Sequence, residues 1–168
     1  PSTQLMSASR STQLGLAPMP YFKSCSDLVH SHPCRKGIRL SVAEGQQKFA
    51  ASNIYSLAEA KADGVSNPRA IYADDQMVGF TMHCFELEAG TGYIDRLMVA
   101  ADHQDKGHGR TAMRGVIKRL EIIPGCQRIR PSFHPENEVA AGVYESLGFQ
   151  KTGEIDEGEV VVVLDCSG

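Results

Sequence analysis

The chain has 168 residues, 42% of them hydrophobic and 22% charged, and its 20 acidic and 17 basic side chains leave a formal net charge of −3. That size and apolar content suit one soluble domain with its own core, and the mildly negative balance argues against a nucleic-acid partner while favouring a cationic small substrate. The cysteines (Cys25, Cys34, Cys84, Cys126, Cys166) are scattered without a Cys-x-x-Cys pair, and no apolar run approaches the ~20 residues of a membrane span, so the expectation is a cytoplasmic protein with no disulfide scaffold, zinc ribbon or membrane partner.

Residues 1–11 are small, polar and unpatterned and read as a disordered tail or expression remnant, which leaves 12–168 as a single domain. Leu14 and Leu16 alternate with small residues as in an edge strand ending at Pro18, and from Tyr21 to Lys36 no clear pattern emerges. His30, His32 and Cys34, with Cys25 upstream, are either metal ligands or part of a surface loop. No second ligand pair follows at the spacing structural zinc sites use, so no metal is expected. The run Ala43 to Ala62 predicts a helix with Ala50, Ile54, Leu57 and Ala58 on its buried face, stopped by Gly64 and Pro68. Tyr55 and Glu59, four apart, project together from another face as a solvated pair or as substrate-binding groups.

Ala70 to Ala73 and Gln76 to Glu88, joined by Asp74-Asp75, predict a β-hairpin whose second strand alternates like a half-buried one, with a bend or bulge at Cys84-Phe85. Tyr93 to Val99 is nearly continuous in apolar residues, as in the centre of a sheet, yet carries Asp95 and Arg96. Burying an unpaired charge is costly, so these two form an ion pair, sit at a strand end, or line a cleft.

Gln104-Asp105-Lys106-Gly107-His108-Gly109-Arg110 follows that strand and opens an amphipathic helix with core stripe Met113, Val116, Ile117 and Leu120. Glycines at this junction let several N–H groups converge at a helix N-terminus, and Lys106 and Arg110 add positive charge: a phosphate site, or simply a tight turn. Gly107-His108-Gly109-Arg110-Thr111-Ala112 also fits a dinucleotide fingerprint, but the acidic residue that fingerprint needs about 20 positions on is missing, since the next strand reads Arg128-Ile129-Arg130.

After the strand Gln127 to Phe133, Pro135 and Gly148 punctuate a helix of three turns with Ala140, Val143 and Leu147 buried and with Asn137 and Tyr144 on one side. A closing hairpin spans Lys151-Thr152 and Glu159 to Asp165, with an acidic turn that is either solvated or attracts a polycation.

Gln104-x-x-Gly107-x-Gly109 and Asn137-x6-Tyr144-x3-Gly148-Phe149, in this order, resemble the two motifs of the GNAT superfamily of N-acetyltransferases, and Phe49-Ala50-Ala51-Ser52-Asn53-Ile54-Tyr55-Ser56-Leu57-Ala58 is similar to a segment of bacterial diamine and polyamine N-acetyltransferases. The resemblance implies an α/β (mixed) fold, a central mixed, mostly antiparallel sheet flanked by helices. It implies acetyl-coenzyme A as cosubstrate, its pyrophosphate on Gln104 to Arg110 and its pantetheine and acetyl carbonyl on N–H groups near Leu97, Met98 and Val99. Asn137 would contact the coenzyme or orient the helix, Tyr144 would protonate the departing thiolate, and Asp95 would take the amine proton or bind the amine. The acceptor implied is a diamine or polyamine. Another small amine or a peptide α-amine is the alternative within the enzyme class, and a non-catalytic coenzyme A-binding module is the alternative outside it. A homodimer rests on the resemblance alone.

Overall fold

The computed structural model describes residues 21–25 and 39–166. Among these, seven strands form one sheet: β1 (Tyr21–Ser24), β2 (Asn67–Ala73), β3 (Gln76–Glu86), β4 (Thr91–Val99), β5 (Arg128–Phe133), β6 (Gln150–Asp156) and β7 (Glu159–Asp165). The strand order is β1-β2-β3-β4-β5-β7-β6, which puts β4 at the centre, as its apolar run predicts. Only β4 and β5 pair in parallel; every other neighbouring pair is antiparallel. The mixed, mostly antiparallel α/β architecture expected from the resemblance is therefore present. The expected strand at Leu14 and Leu16 and the His30 to Cys34 cluster lie outside the described residues, and edge strand β1 falls where no clear pattern was legible.

Among the described residues three α-helices accompany the sheet: α1 (Asn53–Asp63), α2 (His108–Glu121) and α3 (Glu138–Ser146). The predicted helix from Ala43 to Ala62 is broken. Glu44–Phe49 forms a 3-10 turn, Ala50 is extended, and Ser52 caps a fresh start by accepting the Tyr55 N–H. Beginning the helix at Asn53 turns its buried face to Asn53, Ser56 and Ala60 and leaves Ile54 58% exposed, so the expected Ile54 face is corrected. Likewise α3 starts later than Pro135, because Asn137 is its N-cap and accepts the Ala140 N–H at 3.1 Å. The helix ends fall as predicted, with Gly64 and Gly148 both left-handed.

β3 is buried from Met77 through His83 rather than half-buried, since apolar layers cover both faces of the sheet. On one side Ala60, Met77, Phe80, Met82 and Met98 form a core under α1; on the other Met113, Val116, Ile117 and Leu120 of α2 pack with Ile94, Ile129 and Val162. The last group is the predicted core stripe. The β6–β7 turn places Glu157 (φ 48°) and Gly158 (φ 86°) in left-handed conformations, as a two-residue hairpin with right-twisted strands requires.

No helix among the described residues is long and apolar enough to cross a membrane.

Candidate active site

Two irregularities in β4 make the site. The first is a bulge: Met82 pairs with Arg96 and His83 with Ile94, so Asp95 has no partner on β3. An extra residue re-aims its side chain, and the slip lies on β4 rather than at the Cys84-Phe85 position predicted on β3. The second is a splay. β4 and β5 stay paired only from Thr91↔Arg128 to Ile94↔Pro131, and β4 continues alone to Val99. Pro131 has no N–H to extend the ladder. The Ala100 N–H donates to Val78 O at 2.9 Å, so by strand alternation the Met98 backbone also faces β3 while those of Leu97 and Val99 face the gap.

Two cavities meet in that gap. The smaller, about 490 Å³, is walled by Leu97, Met98 and Val99, by the loop from Gln104 to Arg110 apart from Lys106, and by α3. Among the described residues the N–H groups of Asp105, Lys106 and Gly107 donate to no protein acceptor, and the first residues of α2 have no preceding turn to donate to. Gly107 caps α2 at φ 77°, a conformation strained for any residue with a Cβ. A Cβ at Gly109 would meet only Val99 Cγ2, at 3.7 Å, so protein packing leaves room there. Free donors, the positive end of a helix and open space beside a glycine fit the diphosphate of a nucleotide-like coenzyme. Lys106 is tied back, its Nζ donating to Asp102 O at 2.8 Å. Gln104 Nε2 donates to Val99 O at 3.0 Å and to Gln46 Oε1 at 2.7 Å, so this side chain fastens the loop to the strand end.

The larger cavity, about 750 Å³, shares Leu97, Met98, Asn137 and Tyr144 with the first, and adds Asp95, Arg96 and Arg130 and the hairpin carboxylates Asp156, Glu157 and Glu159. Asp95 Oδ2 is buried without a hydrogen-bond partner. Desolvation holds the Asp95 carboxyl above the usual range, opposed by Arg96 and reinforced by Glu59 and Asp63. Tyr144 is 8% exposed and packs between Phe133 and Phe149, with ring centroids 5.6 and 5.2 Å away. Its hydroxyl makes no protein hydrogen bond among the described residues, and burial, with the Glu159 charge, pushes its pKa up. A tyrosine so placed keeps its proton at neutral pH.

Asp95, Tyr144, Asn137 and the glycine loop thus come together around one gap. Tyr55 and Glu59 do not join them. Tyr55 is 60% exposed and lines neither cavity, and Glu59 Oε2 accepts from Arg96 Nη2 at 3.2 Å behind the wall. Sequence reasoning missed Phe49, which lines both cavities and lies tilted against His134 with centroids 5.0 Å apart, while Lys48 pairs with Glu136. It also missed Arg130, although a charged residue alternating within a strand was the available signal. Among the described residues no group of three His, Cys, Asp or Glu side chains gathers as a metal site.

A parallel strand pair thus opens beside a glycine-rich helix start, with a tyrosine where two cavities meet and a carboxylate in the larger one. The sequence matches the Acetyltransferase (GNAT) family over residues 39–149. It is 30% identical over 133 residues to a spermine/spermidine N(1)-acetyltransferase of Bacillus subtilis, covering 75% of this chain and 88% of that protein. Among solved structures, it superposes on a spermidine N-acetyltransferase from Vibrio cholerae in complex with CoA and spermine with a TM-score of 0.68 at 16% identity, over 88% of this chain and 96% of that one. An N-acetyltransferase from Thermoplasma acidophilum in complex with coenzyme A aligns with a TM-score of 0.54 at 18% identity, over 67% and 68% of the two chains. The chain belongs to the GNAT acetyltransferase family and is an acetyl-coenzyme A-dependent N-acetyltransferase.

Proposed function

We propose that the acceptor is a primary amine of a diamine or polyamine of the spermidine and spermine class. The observation that carries this reading is the arrangement of carboxylates around the larger cavity: Asp95 on β4, and Asp156, Glu157 and Glu159 on a different wall. A linear polycation carries ammonium groups several bonds apart, which suits negative charges supplied by separate elements. The curated relative at 30% identity supports the same acceptor class.

When bound, acetyl-coenzyme A supplies the acetyl group as a thioester. The N–H groups of the Asp105 to Arg110 segment would hold its diphosphate, and Asn137, whose Oδ1 is committed to the helix cap, keeps its amide N–H groups for the coenzyme. A primary alkylamine, with a pKa near ~10.4, arrives protonated at neutral pH and cannot attack. Asp95 takes that proton, directly or through water, and its burial makes it a stronger base than an exposed carboxylate. The Leu97 and Val99 N–H groups face the gap without β5 acceptors and would bond the acetyl oxygen, where negative charge grows as nitrogen attacks. The Tyr144 hydroxyl holds a proton for the leaving sulfur. No cysteine among the described residues lines either cavity, in keeping with direct transfer to the amine.

Thiol release measured across spermine, spermidine, putrescine, amino acids and peptides tests the acceptor. The expected result is the highest kcat/KM with spermidine or spermine. Preference for a peptide α-amine or an amino acid overturns the polyamine assignment.

A further inference from the structure

Cys126 and Cys166 lie far apart in sequence, yet their Sγ atoms are 3.6 Å apart. Cys126 sits in the turn before β5 and Cys166 just beyond the end of β7. The β5–β7 ladder brings them together: Arg128 pairs with Asp165, and the Cys166 N–H donates to Gln127 O at 2.8 Å. Both thiols are partly buried against the core that contains Leu120 and Ile129, and neither lines a cavity of the active site. Because the backbones are already hydrogen-bonded, side-chain rotation can bring the sulfurs to the ~2.05 Å of an S–S bond without separating the strands.

We propose that Cys126 and Cys166 are a modification site: a dithiol that closes to an intramolecular disulfide by exchange with a low-molecular-weight disulfide such as oxidised glutathione. The two sulfurs share one contact in which either can donate, so the first thiolate forms on one of the pair and the other serves as the resolving thiol. That thiolate attacks one sulfur of the small disulfide, forming a mixed disulfide and expelling one small thiolate. The second cysteine then gives up its proton and attacks the protein sulfur of the mixed disulfide, forming the Cys126–Cys166 bond and expelling the second small thiolate. Two protein thiols are oxidised, one small disulfide is reduced to two thiols, and two electrons and two protons pass between them.

The bond would close the segment between residues 40 apart and fasten the last residue of the described chain to the turn that feeds β5. Its effect is on stability, because it lies outside the acyl-transfer gap. Cys84, whose thiol burial pushes up to about 11, serves as an internal comparison.

The test treats the full chain with oxidised glutathione at pH 8, followed by intact mass and non-reducing peptide mapping. The expected result is a loss of ~2 Da, a peptide linking Cys126 to Cys166, a Tm raised by ~5 °C or more that returns on adding dithiothreitol, and an unchanged kcat. The single variants Cys126→Ser and Cys166→Ser should each lose both the cross-link and the Tm rise, and each should accumulate the mixed disulfide on the cysteine that remains of the pair. Stable glutathione adducts on the unsubstituted chain without the 2 Da loss, or a cross-link between other cysteines, would overturn the proposal. So would a cross-link that leaves Tm unmoved, because the pair would then not fasten the fold.

Discussion

Glu59 on α1 and Arg96 on β4 meet at 3.2 Å, and the same guanidinium donates through Nη1 to the carbonyl of Asp95 at 2.6 Å. One arginine thus ties a helix to the bulge that presents the carboxylate. Burial raises the Asp95 pKa, Arg96 lowers it, two carboxylates from α1, Glu59 and Asp63, raise it further, and the Cys84 thiol on β3 feels the Asp95 charge.

Replacing Glu59 by Gln removes one of the charges that offset Arg96 at Asp95, so the Asp95 pKa should fall. The acid limb of kcat/KM for the amine should move to lower pH, and the plateau should drop ~3–10-fold as the base weakens. If the limb stays in place while only KM for the amine rises, Glu59 binds substrate rather than tuning Asp95.

Tyr144→Phe removes a hydroxyl with no protein partner among the described residues, so folding should be unaffected. The kcat should fall by about 10²-fold or more with little change in KM for either substrate. An unchanged kcat would dismiss Tyr144 as the proton donor.

At Gly109 the protein leaves room for a methyl group, whereas Gly107 holds a left-handed backbone. Gly109→Ala should therefore keep or raise Tm yet increase KM for acetyl-coenzyme A ~10-fold by filling the diphosphate cradle. Gly107→Ala should lower stability by ~1 kcal/mol through backbone strain. Thermal melts alongside acetyl-coenzyme A titrations separate the two effects.

The folded-state pKa of Asp95 is raised, so the folded protein binds its proton more readily than the unfolded chain, and stability falls as pH rises through that titration. Asp95→Asn should accordingly have a higher Tm than the parent at pH 7, with the difference shrinking towards pH 4, while kcat/KM falls at least 10²-fold. Equal melting curves at both pH values would contradict this account of Asp95.

His83 titrates in the opposite sense. Burial, with Arg69 and Arg119 nearby, pulls it from 6.5 to about 4, and its Nδ1 has no partner. The unfolded chain gains this proton first, so stability is full above pH 6.5 and is lost as pH falls towards 4, by up to about 3 kcal/mol. Urea unfolding of His83→Gln over this range should show a shallower pH slope than the parent.

Local patterns in the sequence determined much of the protein. Gly64 and Gly148 marked helix ends, the stripe Met113 to Leu120 marked the buried face of α2, and Gln104 to Arg110 marked a strand-to-helix turn with free N–H groups. These are legible because cap, periodicity and left-handed glycine are properties of a few neighbouring residues. What only the tertiary structure decided depends on registry between distant segments. The Asp95 bulge exists because β3 and β4 slip by one residue, and the splay exists because Pro131 meets Ile94 across a parallel pair. Glu59 turned from the cavity to Arg96 once Ser52 restarted the helix and rotated its face. Pairing between strands and the packing of a helix on a sheet are set by the whole core, so the partner of each charged side chain could be read only after the sheet was assembled.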